Sequence, residues 1–469
     1  MLTPIVKQEG TTRTEKHLAR IAEDAFFGLW SYPSVYRDEG IAKNGIGQEV
    51  ADLLVLFGTD LIIFSDKDIS FPKHIDIKVA WGRWYRAAIK DSAKQLFGAE
   101  SFIRNHPGRL FLDKTCKISF PLPVNPDDLK IHLVAIARNS SFKSRKYFDE
   151  IMPGSSGSLM HAYFMNEKQA LDNPFNVPDL NPNKTFIHVF DDFSLDLVLL
   201  HLETITDFIN YLNEKESAVR GKRLSQLAGE EDFLAYYLNE ITEKGFGKIS
   251  SPPRMPKDFS FSIPELWWKS FFHSKMYREY EEFRKQARPW GKIVRDFSNA
   301  ISTAQVGEGE DLHFLDHEIA VRVLASENLF SRARLSKALF EKYGEVPPGA
   351  RSSRIVSSLS KPERLYVFLF FPWSKNYENY VEYRKERTAC MNLYAHVARY
   401  KYPQAEEIIV FGTDTRGVEK SSETVIAFSA KEPMSDAEKD DAKKMIEEHG
   451  ILRDTIEIKR KPRRKRLAR

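Results

Sequence analysis

Cysteine is nearly absent: Cys116 and Cys390 are the two that the 469-residue chain carries. Their wide separation in sequence excludes a disulfide framework, a four-cysteine zinc site and a CxxC redox centre, and makes a reducing compartment the simplest home. Long apolar runs are also missing. Stretches such as Leu365 to Phe371 fall far short of the roughly 20 residues that span a bilayer, and no secretory segment is visible. The expectation is a soluble, cytoplasmic protein with no membrane partner. No internal repeat is apparent. Nor is there a large excess of one charge, with 70 Lys plus Arg against 66 Asp plus Glu. At 42% apolar and 29% charged the composition is that of a globular protein, and the length allows two to four domains at roughly 100 to 200 residues each.

The small net charge conceals an asymmetry. Lys459, Arg460, Lys461, Arg463, Arg464, Lys465, Arg466 and Arg469 form a cationic tail without a single acid, so the net +4 of the chain becomes −4 without it. Such a run suits a phosphate polymer, because Lys and Arg displace condensed counterions. It equally suits a solvated end or a basic targeting signal.

Periodicity predicts a first helix capped by Thr14, with Leu18, Ile21, Ala22, Ala25, Phe26 and Leu29 on one face, ending near Trp30 before Ser31-Tyr32-Pro33. Asp52 to Phe57 and Leu61 to Phe64, around Gly58-Thr59-Asp60, read as a tight β-hairpin that is apolar on both faces and hence buried. A second helix is expected from Trp81 to Arg104, with Trp84, Tyr85, Ala88, Ser92, Leu96, Ala99, Phe102 and Ile103 inward. Strands follow at Lys117 to Phe120, Lys130 to Ala137 and Phe186 to Phe190. Helical spacing then covers Ser194 to Leu200, Thr204 to Ala218, Glu230 to Glu243 and Ile263 to Ser302. The aromatics of this region, such as Trp267, Trp268 and Phe271, read as core or domain interface rather than as a base-stacking platform. From Arg364 a mixed pattern returns: a strand to Phe371, a helix near Tyr377 to Arg399, strands at Glu407 to Phe411 and Thr424 to Phe428, and a helix at Asp436 to Glu448. The expected organisation is an α/β domain over 1–165 with a central sheet flanked by helices, a mainly helical domain over 166–350, a small α/β domain over 351–458 and the basic tail 459–469.

The sharpest cluster of chemistry lies between residues 49 and 95. Glu49 and Asp52 stand three apart where the first hairpin strand begins, and the return strand delivers Ser65-Asp66-Lys67-Asp68. Carboxylates and a lysine at one sheet end are what metal-assisted phosphodiester hydrolysis needs: carboxylates hold Mg²⁺, the ion lowers the pKa of bound water, and Lys orients that water or steadies developing charge. Gln95 lies beside the apolar seam of the second helix, where its amide can turn toward the sheet. The simpler alternative is that these acids are solvated turn residues closing an ordinary hairpin.

This arrangement resembles the PD-(D/E)XK nuclease superfamily, the restriction-endonuclease-like fold. The run through Trp84-Tyr85-Arg86 and Ala93-Lys94-Gln95 is similar to a bacterial group of proteins associated with that superfamily, as is Gly229-Glu230-Glu231-Asp232-Phe233. The resemblance implies a helix glutamate, an aspartate on the first hairpin strand, a (D/E)-x-K on the return strand and a glutamine on the next helix, which Glu49, Asp52, Ser65-Asp66-Lys67 and Gln95 match in order. It further implies Asp52 and Asp66 as ligands of Mg²⁺ or Mn²⁺, Glu49 as a further ligand, Lys67 acting on water or transition state, Gln95 in support, and a role in DNA restriction or phage defence. Arg83, Arg86, Lys90 and Lys94 are candidate phosphate contacts, or simply a solvated helix face. The partner would be nucleic acid, with DNA the expected form, and a homodimer or partner subunit is compatible.

One position departs from the pattern, because Ser65 stands where the first acid of (D/E)-x-K belongs. Residues directly opposite in a hairpin share a face. A three-residue turn sets Asp52 opposite Asp66 and leaves Lys67 on the other face; a two-residue turn groups Asp52 with Ser65 and Lys67. Only a bulge, or a strand ending at Asp66, gathers Asp52, Asp66 and Lys67 together. Ser65 therefore motivates a rival expectation, a nucleic-acid or protein binding module on a decayed nuclease fold.

Three other motifs carry less. His313-Phe314-Leu315-Asp316-His317-Glu318 superficially matches an inverted zinc-protease motif but reads as a helix start beside acids. Gly154-Ser155-Ser156-Gly157-Ser158 lacks the ending of a P-loop and reads as a loop. Gly412 to Gly417 reads as a turn between strands.

Overall fold

The computed structural model describes residues 2–74, 76–151, 153–252, 256, 259–306, 312–374, 376–417 and 422–455. The basic tail, with its candidate contacts Lys459 to Arg466, lies outside the described residues. Two compact units divide the chain, Met1–Lys337 and Ala338–Arg469.

In the first unit, strands β1 (Ser31–Arg37), β2 (Gln48–Phe57), β3 (Asp60–Lys67), β4 (Leu110–Phe111), β5 (Lys130–Ala137), β6 (Met160–Ala162), β7 (Asn176–Val177), β8 (Ile187–Phe190), β9 (Leu224–Leu227) and β10 (Phe261–Ile263) form two mixed sheets. The larger has the order β4-β1-β2-β3-β5-β8 and the smaller β10-β9-β6-β7. The large sheet draws β8 from beyond residue 165, so the boundary expected there falls inside this unit. The small sheet interrupts a stretch expected to be helical, with strands too short to show a period of two.

The first helix spans Arg13–Phe26 and is capped by Thr12 rather than Thr14. Thr12 Oγ1 accepts from the Glu15 N–H, and the Glu15 carboxylate accepts from the N–H groups of Thr11 and Thr12. The chain leaves the helix at Phe27 with φ 62° and enters β1, a strand that the sequence hides behind Pro33. Leu56 N–H donates to the Trp30 carbonyl, and in the alternation this sets, Pro33 and Leu53 form a non-hydrogen-bonded pair. The proline nitrogen thus points away from β2, to a side where β4 covers only Tyr36 and Arg37.

β3 runs parallel to β5, and the crossover between them carries helices Ile77–Trp84 and Asp91–Asn105 joined by a π turn, Tyr85–Lys90. All eight residues expected to face inward are buried, whereas the strand expected at Lys117 to Phe120 shrinks to one bridge between Phe111 and Ser119. Further along, helices Ser194–Leu202, Ile205–Arg220 and Glu230–Asn239 follow the predicted pattern. The long helix expected from Ile263 is broken into Trp267–Phe272 and Lys275–Ser302, the second capped by Ser274.

The second unit carries β11 (Ser352–Ser357), β12 (Arg364–Phe371), β13 (Glu407–Asp414) and β14 (Thr424–Ser429) in that order. β12 and β13 are parallel around helix Tyr380–Lys401, and helix Asp436–His449 completes the unit. Gly412, Thr413 and Asp414 prolong β13 instead of turning. No helix among the described residues is long and apolar enough to cross a membrane.

Candidate functional site

The hairpin register decides which side chains meet. Phe57 pairs with Asp60 across a two-residue turn, Gly58-Thr59, in which Gly58 has φ 63°, and the pairing continues to Leu53 with Phe64. Extending that register sets Asp52 opposite Ser65. Asp52, Ser65 and Lys67 therefore share one face of the sheet and Asp66 takes the other.

A second irregularity recruits Glu49. Residues three apart point to opposite faces of a regular strand, yet β2 is irregular: Val35 pairs with Ala51 whereas Tyr36 pairs with Glu49. β2 thus holds one extra residue, Val50, and this bulge reverses the alternation. Glu49 arrives on the Asp52 face from a strand, not from the helix that the resemblance implies.

Glu49, Asp52, Ser65, Lys67 and Gln95 line a single cavity of about 640 Å³ between the hairpin and helix Asp91–Asn105. Ser65 Oγ donates to Gln95 Oε1 at 3.3 Å and accepts from Ser92 Oγ at 2.8 Å, so the serine holds the glutamine amide over the sheet. Asp52 Oδ2 accepts the Asp66 N–H at 2.6 Å. Burial pushes the Asp52 carboxyl up to about 7; Glu49 adds repulsion, and the Asp66 N–H and Lys67 oppose the rise. Glu49 stands at the rim, where loss of water and the Glu15 charge raise its carboxyl while Lys67 draws it back.

Glu15 is the acid that the sequence reading missed, although its field reaches both carboxyls from the first turn of the first helix. The Thr12 to Glu15 capping box was the available signal, but it speaks only of a helix start. Arg37 and Asp91, also unassigned from sequence, line the same cavity. Lys94 lines it too. Lys90 is instead paired with Glu167 at 2.6 Å, and Arg83 and Arg86 are exposed outside the cavity.

Asp66 does not join the group. Its buried side chain meets Arg138 on the opposite face, with Nε to Oδ1 at 2.7 Å and Nη2 to Oδ2 at 2.9 Å. Alternation sends the carboxylate there, and the guanidinium fork occupies both oxygens. Burial still raises the Asp66 carboxyl, with Arg138 offsetting part of the rise.

Among the described residues no three His, Cys, Asp or Glu side chains gather into a ready cage for a metal. Mg²⁺ does not require one, since it retains several waters and takes one or two carboxylates together with substrate phosphate oxygens. Glu49 and the Asp52 oxygen left open by the Asp66 N–H fit that donor set, and a cation would offset the loss of water that chiefly raises both carboxyls. His313 is engaged otherwise, as the cap of helix Phe314–Ala325, with Nδ1 accepting from the Leu315 N–H. The Gly154 to Ser158 segment is a loop whose Ser158 Oγ donates to Glu231 Oε2 at 2.5 Å.

No protein-family model, curated protein or solved structure matches the chain. The functional reading therefore stands on the geometry of this cavity.

Proposed function

We propose that the chain is a metal-dependent phosphodiesterase of the restriction-endonuclease-like class, acting on nucleic acid, with DNA the expected substrate, in restriction or phage defence. The observation that carries this reading is the meeting of Asp52, Glu49, Lys67 and Gln95 in one cavity at the end of β2 and β3. The central mixed sheet with a helix-bearing crossover after β3 is compatible with it.

Asp52 and Glu49 would hold Mg²⁺ or Mn²⁺, which when bound acidifies water and neutralises phosphate charge. Lys67, on the Asp52 face, orients the attacking water and stabilises the negative charge that gathers on the phosphoryl oxygens. Gln95, with Oε1 engaged by Ser65, keeps its Nε2 donor for a phosphate oxygen. Asp52 must be ionised for these roles, which its environment resists until a cation or Lys67 compensates. The test is cutting of labelled DNA and RNA by purified protein with Mg²⁺ or Mn²⁺. Wild type should cut and Asp52→Ala should not; equal cutting by both sinks the assignment.

Ser65 in the acid position, together with the withdrawal of Asp66 to Arg138, favours a second reading, a module that binds nucleic acid without cutting it. That reading predicts salt-sensitive binding and no products with either ion.

A further inference from the structure

A second groove, of about 520 Å³, adjoins the Asp52 cavity and shares Lys94 and Gly98 with it. Its floor is apolar, built from Ala93, Phe97 and Leu180, and its rim carries Lys90, Lys94 and Lys184 with no lining carboxylate among the described residues. Lys184 Nζ sits 4.6 Å from the centre of the Phe97 ring. That contact holds the ammonium in place without neutralising it, and neither Lys184 nor Lys94 has a carboxylate partner among the described residues.

The loop that presents Lys184 is fastened at several points. Arg220 donates to the carbonyl oxygens of Asn181, Pro182 and Lys184 and to the Asp179 carboxylate. Thr185 Oγ1 donates to Glu100 Oε1 at 2.8 Å, tying the loop to the same helix that carries Lys94 and Gln95. A cation fixed in advance beside the cavity loses little freedom when an anion arrives.

We propose that this groove holds the single-stranded polynucleotide flanking the phosphate in the Asp52 cavity, an inference that rests on the phosphodiesterase reading of that cavity. Lys94 bridges the two sites, Lys184 takes the next phosphate, and the apolar floor receives sugar and base. An apolar floor between fixed cations suits a strand with its bases free; the uniformly charged outside of a duplex offers it nothing to cover.

The experiment uses full-length Asp52→Ala protein and a fluorescent single-stranded oligonucleotide, with anisotropy read across a salt series. Lys184→Ala should weaken binding and lower the salt slope by about 0.7, one single-strand phosphate contact; Lys184→Arg should restore both. Lys292→Ala, in a separate cationic groove between helices Arg13–Phe26 and Lys275–Ser302, should leave the slope alone. An unchanged slope in Lys184→Ala, an effect confined to duplex, or no binding at all overturns the proposal. If the slope falls while wild type never cuts, the hydrolase reading fails and the groove stands; if wild type cuts and the slope is unmoved, the groove fails and the hydrolase stands.

Discussion

Asp66 faces Asp52 with its backbone and Arg138 with its side chain: the N–H lies 2.6 Å from Asp52 Oδ2 while the carboxylate is clamped on the opposite face of the sheet. One residue thus orients the candidate metal ligand and braces the core by separate atoms. Mutation can separate the two roles.

Arg138→Ala leaves a buried carboxylate without its partner and should cost about 3–5 kcal/mol, seen as a lower urea midpoint. The double variant Asp66→Asn, Arg138→Met should recover most of that loss. Its cutting per folded molecule should match wild type, because the N–H of residue 66 remains. A folded double variant unable to cut would return the Asp66 side chain to the site.

Stability should carry the signature of Asp52. Its carboxyl is raised from 3.8 to about 7, so between these values the unfolded chain loses the proton while the fold keeps it. Folding stability without metal is thereby greatest below the lower value, falls as pH rises toward the upper one and is level beyond it. Asp52→Asn should stabilise the metal-free protein at pH 8 by about 1–3 kcal/mol, allowing for partial exposure, and by almost nothing at pH 4. Equal effects at both pH values would contradict the raised carboxyl.

Cutting should follow the same group in the opposite sense. Below about 7 Asp52 holds its proton and cannot bind a cation, so the rate should decline on the acid side. Raising Mg²⁺ should move that acid limb to lower pH by competing with the proton. A pH–rate profile whose acid limb ignores Mg²⁺ would exclude Asp52 as its ligand.

Ser65 offers a gain-of-function test. Ser65→Asp places a third carboxylate beside Asp52 and Glu49 and should tighten Mn²⁺ binding by about tenfold or more, read by calorimetry, because Mn²⁺ favours carboxylate donors. Without metal the new buried charge should cost about 1–3 kcal/mol. Unchanged Mn²⁺ affinity in a folded variant would show that the cavity is not a cation site.

The hairpin, the inward seam of the following helix and strand β5 were legible because each is a local pattern of apolar residues. The grouping of Asp52 with Lys67 was legible only as one of several registers, since Gly58-Thr59-Asp60 allows turns of different length and the choice falls to the strands on either side. Glu49 was named from spacing, yet its route into the cavity depends on pairing with β1, which Pro33 concealed. Arg138 stands 72 residues from Asp66, and no local pattern announces such a partner. Glu15 showed its capping role in sequence while its approach to Asp52 is purely tertiary.

The bulge at Val50 ties the facing of Glu49 to its pairing with Tyr36 rather than to its distance in sequence from Asp52. Removing Val50 would flatten the bulge, set Glu49 and Asp52 two apart in a regular strand and so keep both acids on the cavity side. Exchanging Val50 for another apolar residue would leave the cavity as it is. A slip in how β1 pairs with β2 here, more than the exchange of one side chain for another, is the change that would disarm the site.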